Sequence, residues 1–299
     1  MDAGWIDRTL MQRLLPRLRR ATASAERPGL GHIELDDALV RVRDLGRGPS
    51  TIVFTPDPPN VIEHYDRLFE LLSPAHRVIC LEIPGFGLSV PKKGFSFSFE
   101  SQVRIAAKIL DRLEAAPCVV AFSCVAGQMA LRLAADRPEL VSHIILIQTP
   151  SWPEQIAWYN RVDPQGRLGT PVLGQLILAV GKRRVARGWY DICTPDTATA
   201  ARFDTVAQAA FDQGAGYSLA SAFQKLVSEP APKFSDLEKP SMVLWGLKDR
   251  THRRTDKRSS LTHLPHAAYR EFEGTGHFPE LERPEEFCKA LAEFLEGSP

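Results

Sequence analysis

The chain has 299 residues, 44% hydrophobic and 24% charged, with 37 Lys and Arg against 36 Asp and Glu. That length and apolar content suit one large α/β domain, or one with an inserted subdomain, whose core needs no disulfide or metal staple. The net charge of +1 and the lack of internal repeats exclude disordered, collagen-like and coiled-coil chains, and give no field that draws in nucleic acid or membrane.

Five cysteines, Cys80, Cys118, Cys124, Cys193 and Cys288, are widely spaced and form no CxxC pair. Spacing therefore indicates neither a disulfide framework nor a zinc site, and a reducing cytoplasm is the expected setting. No apolar run approaches the roughly 18 residues of a membrane span. The opening MDAGWIDRTLMQRLL lacks the apolar stretch and cleavage site of a secretory signal.

In chain order, Ile6, Leu10, Leu14 and Leu18 recur every fourth residue among Arg8, Arg13, Arg17, Arg19 and Arg20. This predicts an amphipathic helix over 5–20, packed on its own domain. Residues 21–32, ATASAERPGLGH, read as a linker, which makes 1–31 an N-terminal helix and linker. Apolar runs then predict strands at 38–44, 51–55, 77–82, 118–122, 143–148, 241–245 and 268–272, with helices at 60–72, 99–115, 125–136 and 282–296. Apolar strands alternating with amphipathic helices predict an α/β fold with a mostly parallel sheet covered on both faces. The alternation stops between about 150 and 235, where helical patterns at 171–187, 197–212 and 217–228 occur without a convincing strand. A helical cap over 151–232, inserted into a core of 32–150 and 233–299, would close a pocket at the carboxyl ends of the strands.

Two segments carry most of the chemistry. Glu82-Ile83-Pro84-Gly85-Phe86-Gly87-Leu88-Ser89 ends a strand in a tight glycine-rich turn, and Phe122-Ser123-Cys124-Val125-Ala126-Gly127 runs from a strand straight into a helix. Together they resemble the α/β-hydrolase family, in which a D-x-P-G-x-G-x-S segment precedes a G-x-S-x-G nucleophile elbow. Trp245-Gly246-Leu247-Lys248-Asp249 resembles that family's acid loop and Gly274-Thr275-Gly276-His277-Phe278 its histidine loop, in the family's order. The resemblance covers about 35–150 and 235–297. It implies a mostly parallel central sheet of about eight strands flanked by helices, with an inserted helical cap. An elbow needs small residues two and three places past the nucleophile, where backbones approach closely. Ala126 and Gly127 stand there if the nucleophile is Cys124, and the A-L-R-L-A-x-x-x-P-E register of the helix agrees. The sequence departs from the family at Phe122, where a small residue is usual, and in having cysteine for serine.

The resemblance implies a Cys124–His277–Asp249 triad. His277 takes the thiol proton and later returns it, and Asp249 holds the imidazole tautomer and stabilises the imidazolium. The oxyanion hole falls to the N–H of Val125 and one from the Thr55-Pro56-Asp57 turn. Three prolines in Thr55-Pro56-Asp57-Pro58-Pro59-Asn60 remove donors, so Asp57 is the expected contributor. A carboxylate there opposes an oxyanion unless it points away, is protonated or pairs with a cation. Asp57 is thus either a turn residue before helix 60–72 or a group that contacts substrate or assists proton transfer.

A cysteine attacking the carbon of a haloalkane or epoxide would leave an inert thioether, so those activities are rejected. Attack on an acyl carbon gives a thioester that water, hydroxyl, amine or thiol can resolve. The expected activity is therefore hydrolysis or transfer of an activated ester or thioester, with no cofactor and no metal. The alternatives are a non-covalent lyase using His277 as base, or a non-catalytic ligand-binding protein. Trp152, Trp158, Tyr159 and Trp189, with Tyr190, Phe203 and Phe122, are candidates for an apolar substrate pocket or for cap packing. Two basic clusters, Lys182-Arg183-Arg184 with Arg187, and Lys248, Arg250, Arg253, Arg254, Lys257 and Arg258, are solvated loops or a landing site for an anionic carrier such as coenzyme A or an acyl carrier protein.

Overall fold

A computed structural model describes residues 3–18, 27–233 and 237–298. The chain opens with α1 (Gly4–Gln12) and α2 (Leu15–Leu18) rather than one helix over 5–20. Pro16 lacks an N–H and its ring crowds the preceding turn, so the periodic pattern cannot run through it. Arg19, Arg20 and residues 21–26 of the expected linker lie outside the described residues. The last residues of that stretch belong to β1 (Leu30–Glu34), an antiparallel edge strand whose half-exposed side chains give no apolar run.

The sheet is built from β1, β2 (Ala38–Leu45), β3 (Thr51–Thr55), β4 (Arg77–Leu81), β6 (Val90–Pro91), β7 (Cys118–Ser123), β8 (Val141–Ile147), β10 (Ser241–Gly246) and β11 (Ala268–Phe272). The short β5 (Phe86–Gly87) stands apart from it. Among the described residues the order is β1-β2-β4-β3-β7-β8-β10-β11, with β6 on β2. The pairs from β4 through β3, β7, β8 and β10 to β11 are parallel, and those of β2 are antiparallel. Nearly every residue of β3, β4, β7 and β10 is buried, as a strand covered on both faces requires. One cover contains α4 (Phe99–Arg112) against α5 (Val125–Asp136), and the other α3 (Asp66–Leu72) and α11 (Pro284–Gly297) with the short α10 (Pro279–Glu282). The helix expected at 282–296 is divided between α10 and α11 because Pro284 cannot continue the first.

Between β8 and β10 the chain forms α6 (Trp152–Val162), α7 (Leu173–Cys193), α8 (Thr197–Asp212), β9 (Gly216–Tyr217) and α9 (Leu219–Ser228). This is the expected helical insertion, with one strand the pattern did not show. β9 pairs with β5, setting Phe86 opposite Tyr217 and fastening the insertion to the glycine-rich turn. Under that turn Glu82 is fully buried. Its carboxylate accepts N–H bonds from Ile62 at 3.1 Å and Leu88 at 2.7 Å and pairs with Arg41 at 3.2 Å. A Cβ on Gly87 would sit 2.3 Å from that carboxylate, so only glycine fits. The register sets Thr55 opposite Phe122 and Ser123 opposite Ile147, so β3, β7, β8 and β10 end along one edge.

The N-terminal helix is tied to the insertion by a buried hydrogen bond of 2.6 Å from Ser221 Oγ to Asp7 Oδ2. Burial pushes the Asp7 carboxyl up to about 6, against an ordinary value of 3.8. The native state thus keeps this proton over a range where the unfolded chain has lost it. The stability this supplies is present at acid pH and lost as pH rises from about 4 through about 6, by up to about 3 kcal/mol. Asp7→Asn, which never ionises, is expected to raise the melting temperature by a few degrees at pH 8 and to change it little at about pH 3.5, below both values. Thermal melts at the two pH values check this.

Candidate active site

β7 passes into α5 through a single residue, Cys124, at φ 53° and ψ −127°. A non-glycine residue there carries strain on the order of 1–3 kcal/mol, which the surroundings must hold. Cys124 N–H donates to Ile147 O at 2.8 Å, and Cys124 O accepts from Gly127 N–H and Thr149 Oγ1, each at 3.0 Å. A Cβ on Gly127 would lie 2.1 Å from Thr149 Oγ1, so the small residue three places past Cys124 is a packing requirement. The turn raises the Cys124 side chain from the sheet edge at the start of α5. Burial and the nearby Asp57 push its thiol up, while His277 and the Val125 N–H pull it down, with a net rise.

His277 follows β11 on a loop clamped from several sides. Its N–H donates to Cys193 O at 2.9 Å, and the half-buried Glu282 carboxylate accepts from Gly276 N–H at 2.6 Å and Phe278 N–H at 3.2 Å. The imidazole is fully buried and stands between two carboxylates. Nδ1 is 2.6 Å from Asp249 Oδ2, and Nε2 is 3.1 Å from Asp57 Oδ2. Burial alone would lower the imidazole, but Asp249, Asp57 and Cys124 hold it well above its ordinary value. Asp249 is likewise held well below the usual carboxylate range, its burial outweighed by the charge and hydrogen bond of His277. Its Oδ1 also accepts from Thr251 N–H at 2.8 Å and Thr251 Oγ1 at 2.7 Å, and its Oδ2 from Gln148 Nε2 at 2.9 Å.

The structure thus brings Cys124, His277, Asp249 and Asp57 together. Of the two uses expected for Asp57, turn residue or group that contacts substrate or assists proton transfer, its backbone O accepts from Asn60 N–H at 3.0 Å in the turn while its side chain meets the imidazole. Burial pushes its carboxyl up, more than the His277 hydrogen bond lowers it. Residues the sequence reading missed are Gln148, which also accepts from Gly246 N–H at 2.7 Å and so ties β8 to the acid loop, Gln155, whose Nε2 is 4.0 Å from Cys124 Sγ, and His252. None lies in a recognisable motif. Gln148 was visible only as a polar residue closing an apolar strand.

Cys124, Asp57 and Val125 open onto a cavity of about 290 Å³ under the insertion. Trp152, Trp158 and Trp189 line it, with Phe86, Phe97, Phe99, Tyr217 and Phe223 among the other aromatic walls. Lys225 is the one cation among the lining residues. Four pocket candidates fall elsewhere. Phe122 points into the core from β7 and is fully buried, because its strand is covered on both faces. Tyr159 packs edge-on against Phe223 and reaches Asp163 at 3.3 Å, outside the lining. Tyr190 and Phe203 also serve the packing, with Tyr190 bonded to Asn60 at 2.9 Å and Phe203 stacked on Phe278. Neither basic cluster lines the cavity; Arg183 and Arg187 are paired with Asp212 and Asp204. Among the described residues no helix is long and apolar enough to cross a membrane.

The model of the alpha/beta hydrolase family matches residues 52–290. An uncharacterized hydrolase, YugF, of Bacillus subtilis (strain 168) is 21% identical over 236 residues, 77% of this chain and 84% of that protein. The dihydrolipoyllysine-residue acetyltransferase component of the acetoin cleaving system of Cupriavidus necator is 22% identical over 267 residues, covering 88% of this chain and 68% of the relative. The crystal structure of epoxide hydrolase A from Mycobacterium thermoresistibile superposes with a TM-score of 0.74 at 15% identity, covering 91% of this chain and 99% of that one. That last likeness is one of fold.

Gly127→Ala is expected to destabilise the protein by about 1–3 kcal/mol, because the added methyl must displace the buried Thr149 hydroxyl and with it the Cys124 turn. Urea unfolding of the variant against the parent measures this.

Proposed function

Because the chain belongs to the alpha/beta hydrolase family, we propose that it is an enzyme that hydrolyses or transfers the acyl group of an activated ester or thioester through a covalent thioester on Cys124. The observation that carries this reading is the thiol on a strained turn, beside an imidazole held by Asp249, at the mouth of an aromatic-lined cavity. An apolar acyl group fits that cavity. One relative, by its name an acetyltransferase component, supports acyl chemistry. The exposed Lys248, Arg250, Arg253 and Arg254 beyond the acid loop would meet an anionic carrier such as coenzyme A or an acyl carrier protein.

In the resting site Asp57 and His277 share the proton at Nε2. When burial shifts that proton onto Asp57, Nε2 is free to accept the thiol proton. Cys124 sulfur then attacks the acyl carbon, the S–C bond forms and the carbonyl electrons move onto oxygen. The N–H groups of Val125 and Asp57 serve as oxyanion donors, and a neutral Asp57 carboxyl no longer repels that charge. Collapse of the intermediate breaks the bond to the leaving alkoxide or thiolate, which takes the proton from His277. Water or another acceptor resolves the thioester, giving its proton to His277 as it attacks.

Intact-protein mass after brief incubation with aryl esters and with short and long acyl thioesters is expected to show an acyl adduct on Cys124. Cys124→Ala should lose the adduct and at least about 10³-fold in turnover. The contact between Asp57 and His277 favours one second reading, non-covalent acid–base catalysis by that pair; Cys124→Ala turning over as fast as the parent would establish it instead. Because the mechanism needs Asp57 neutral, the rate should fall as pH rises through its raised pKa. Asp57→Asn should lack that alkaline decline, which pH–rate profiles of the two proteins would reveal.

A further inference from the structure

The sulfur of Cys124 and one ring nitrogen each of His252 and His277 lie within 4.8 Å of one another, and all three side chains are buried. The two imidazoles stack, with centroids 5.3 Å apart and planes 21° from parallel. Each has one nitrogen anchored by oxygen. For His277 this is Nδ1 on Asp249 Oδ2 at 2.6 Å, and for His252 it is Nδ1 on Thr255 Oγ1 at 3.0 Å. Thr255 Oγ1 is itself fixed by Arg161, which donates to it at 2.8 Å. His252 Nε2 is buried without a hydrogen-bond partner, although Trp158 stacks on the ring and Trp245 meets it edge-on. A buried polar atom left without a partner calls for an explanation. An imidazole held by oxygen at one nitrogen and free at the other is the arrangement that outer-shell partners impose on metal-binding histidines.

We propose that Cys124, His252 and His277 bind Zn²⁺, with Asp57 as fourth ligand, and that the bound ion holds the enzyme inactive by occupying its nucleophile and base. The inhibitory half rests on the acyl-enzyme reading above; the binding half does not. Asp57 Oδ2, 3.1 Å from His277 Nε2, already adjoins the cluster. One thiolate, two neutral imidazoles and one carboxylate form a tetrahedral N/S/O set of the kind zinc takes. Their two negative charges cancel those of the ion, and the Asp249 carboxylate behind His277 Nδ1 is the charge that remains. Zinc bonds of about 2.0–2.3 Å bring ligand atoms to roughly 3.5 Å separation, so side-chain shifts on the order of 1 Å bring Cys124, His252 and His277 onto the ion. The ion enters through the cavity that Cys124 and Asp57 line. On binding, the S–H proton and the proton shared by Asp57 and His277 Nε2 leave for solvent as the sulfur–zinc, nitrogen–zinc and oxygen–zinc bonds form, so two protons are released. Ligands at positions 124, 252 and 277 have no short spacing, and for that reason the sequence pattern pointed to no zinc site.

The test titrates the full chain, freed of metal, with Zn²⁺ and with Co²⁺ as a spectroscopic substitute. One ion should bind per chain, and Co²⁺ should give thiolate-to-metal charge-transfer absorption together with the intense visible bands of tetrahedral cobalt. Zn²⁺ should slow alkylation of Cys124 by iodoacetamide at least ~10-fold, and a chelator should restore it. His252→Gln should weaken binding ~100-fold or more while Cys124 is still acylated by esters. Thr255→Val, a milder change that leaves every ligand in place, should weaken it ~10-fold. Absence of stoichiometric binding, absence of the charge-transfer band, or parent-like affinity in both variants would overturn the proposal. Metal binding with the charge-transfer band in a protein whose Cys124 no ester acylates would keep the site and remove the inhibitory role. Acylation without metal binding would overturn this inference alone.

Discussion

Everything at this site depends on one buried imidazole suspended between two carboxylates, Asp249 at 2.6 Å and Asp57 at 3.1 Å. Three ionisable groups out of water would be costly singly, and only their mutual contact makes the burial tolerable. The arrangement fixes which proton can move. Asp249 is held ionised by His277, Thr251 and Gln148, so it orients the ring without exchanging protons with it. Among the described residues Asp57 has no such set of donors, and burial pushes it toward its neutral form beside Nε2. Two acids of one chemical type are thereby driven apart by their surroundings, which is how a site separates a structural acid from a working one.

The scaffold supplies the rigidity such a pair needs. β8 ends in Gln148, whose side chain bridges Asp249 and the backbone of Gly246, so the acid loop is registered to the neighbouring strand and not left to its own flexibility. The His277 loop is clamped by Glu282, and Ser123, just before Cys124, donates to Glu280 at 2.9 Å. Burial pushes Glu280 up to about 8 and Glu282 up to about 7. The loop that carries His277 is therefore packed over acids that near neutrality are at least partly protonated, which limits the negative charge gathered behind the imidazole.

Much of the fold was legible because its central strands are apolar on both faces. The runs at 51–55 and 268–272 coincide with β3 and β11, and five others are matched within two residues at their ends. What escaped has a physical reason in each case. β1 is a half-exposed edge, β9 is two residues long and exists through its pairing with β5, and the N-terminal helix is cut by Pro16. The residues that meet at the site were legible where turn geometry constrains them: the elbow shows itself through Gly127, which Thr149 forces to be small. His252 and Gln155 were not legible. A lone buried polar residue in a helix or loop carries no pattern, and its position beside Cys124 arises from the packing of the insertion over the sheet edge.

Two features of the site, cysteine on the turn into α5 and Asp57 against the imidazole, make sense together and poorly apart. A serine hydroxyl needs a strong, unencumbered base, and an imidazole already engaged by a second carboxylate would serve it badly. A thiol is several pKa units more acidic and gives up its proton to a base that is partly occupied. Conversely, under the proposed mechanism a carboxyl at position 57 is tolerable only if it can become neutral as charge builds on the substrate oxygen, and its contact with His277 would provide that route. Restoring serine at position 124 while keeping Asp57 would thus leave a nucleophile too weakly acidic for its base. Replacing Asp57 while keeping Cys124 would leave the imidazole freer but remove the acid that neutralises the turn. The chemistry of this site belongs to the pair.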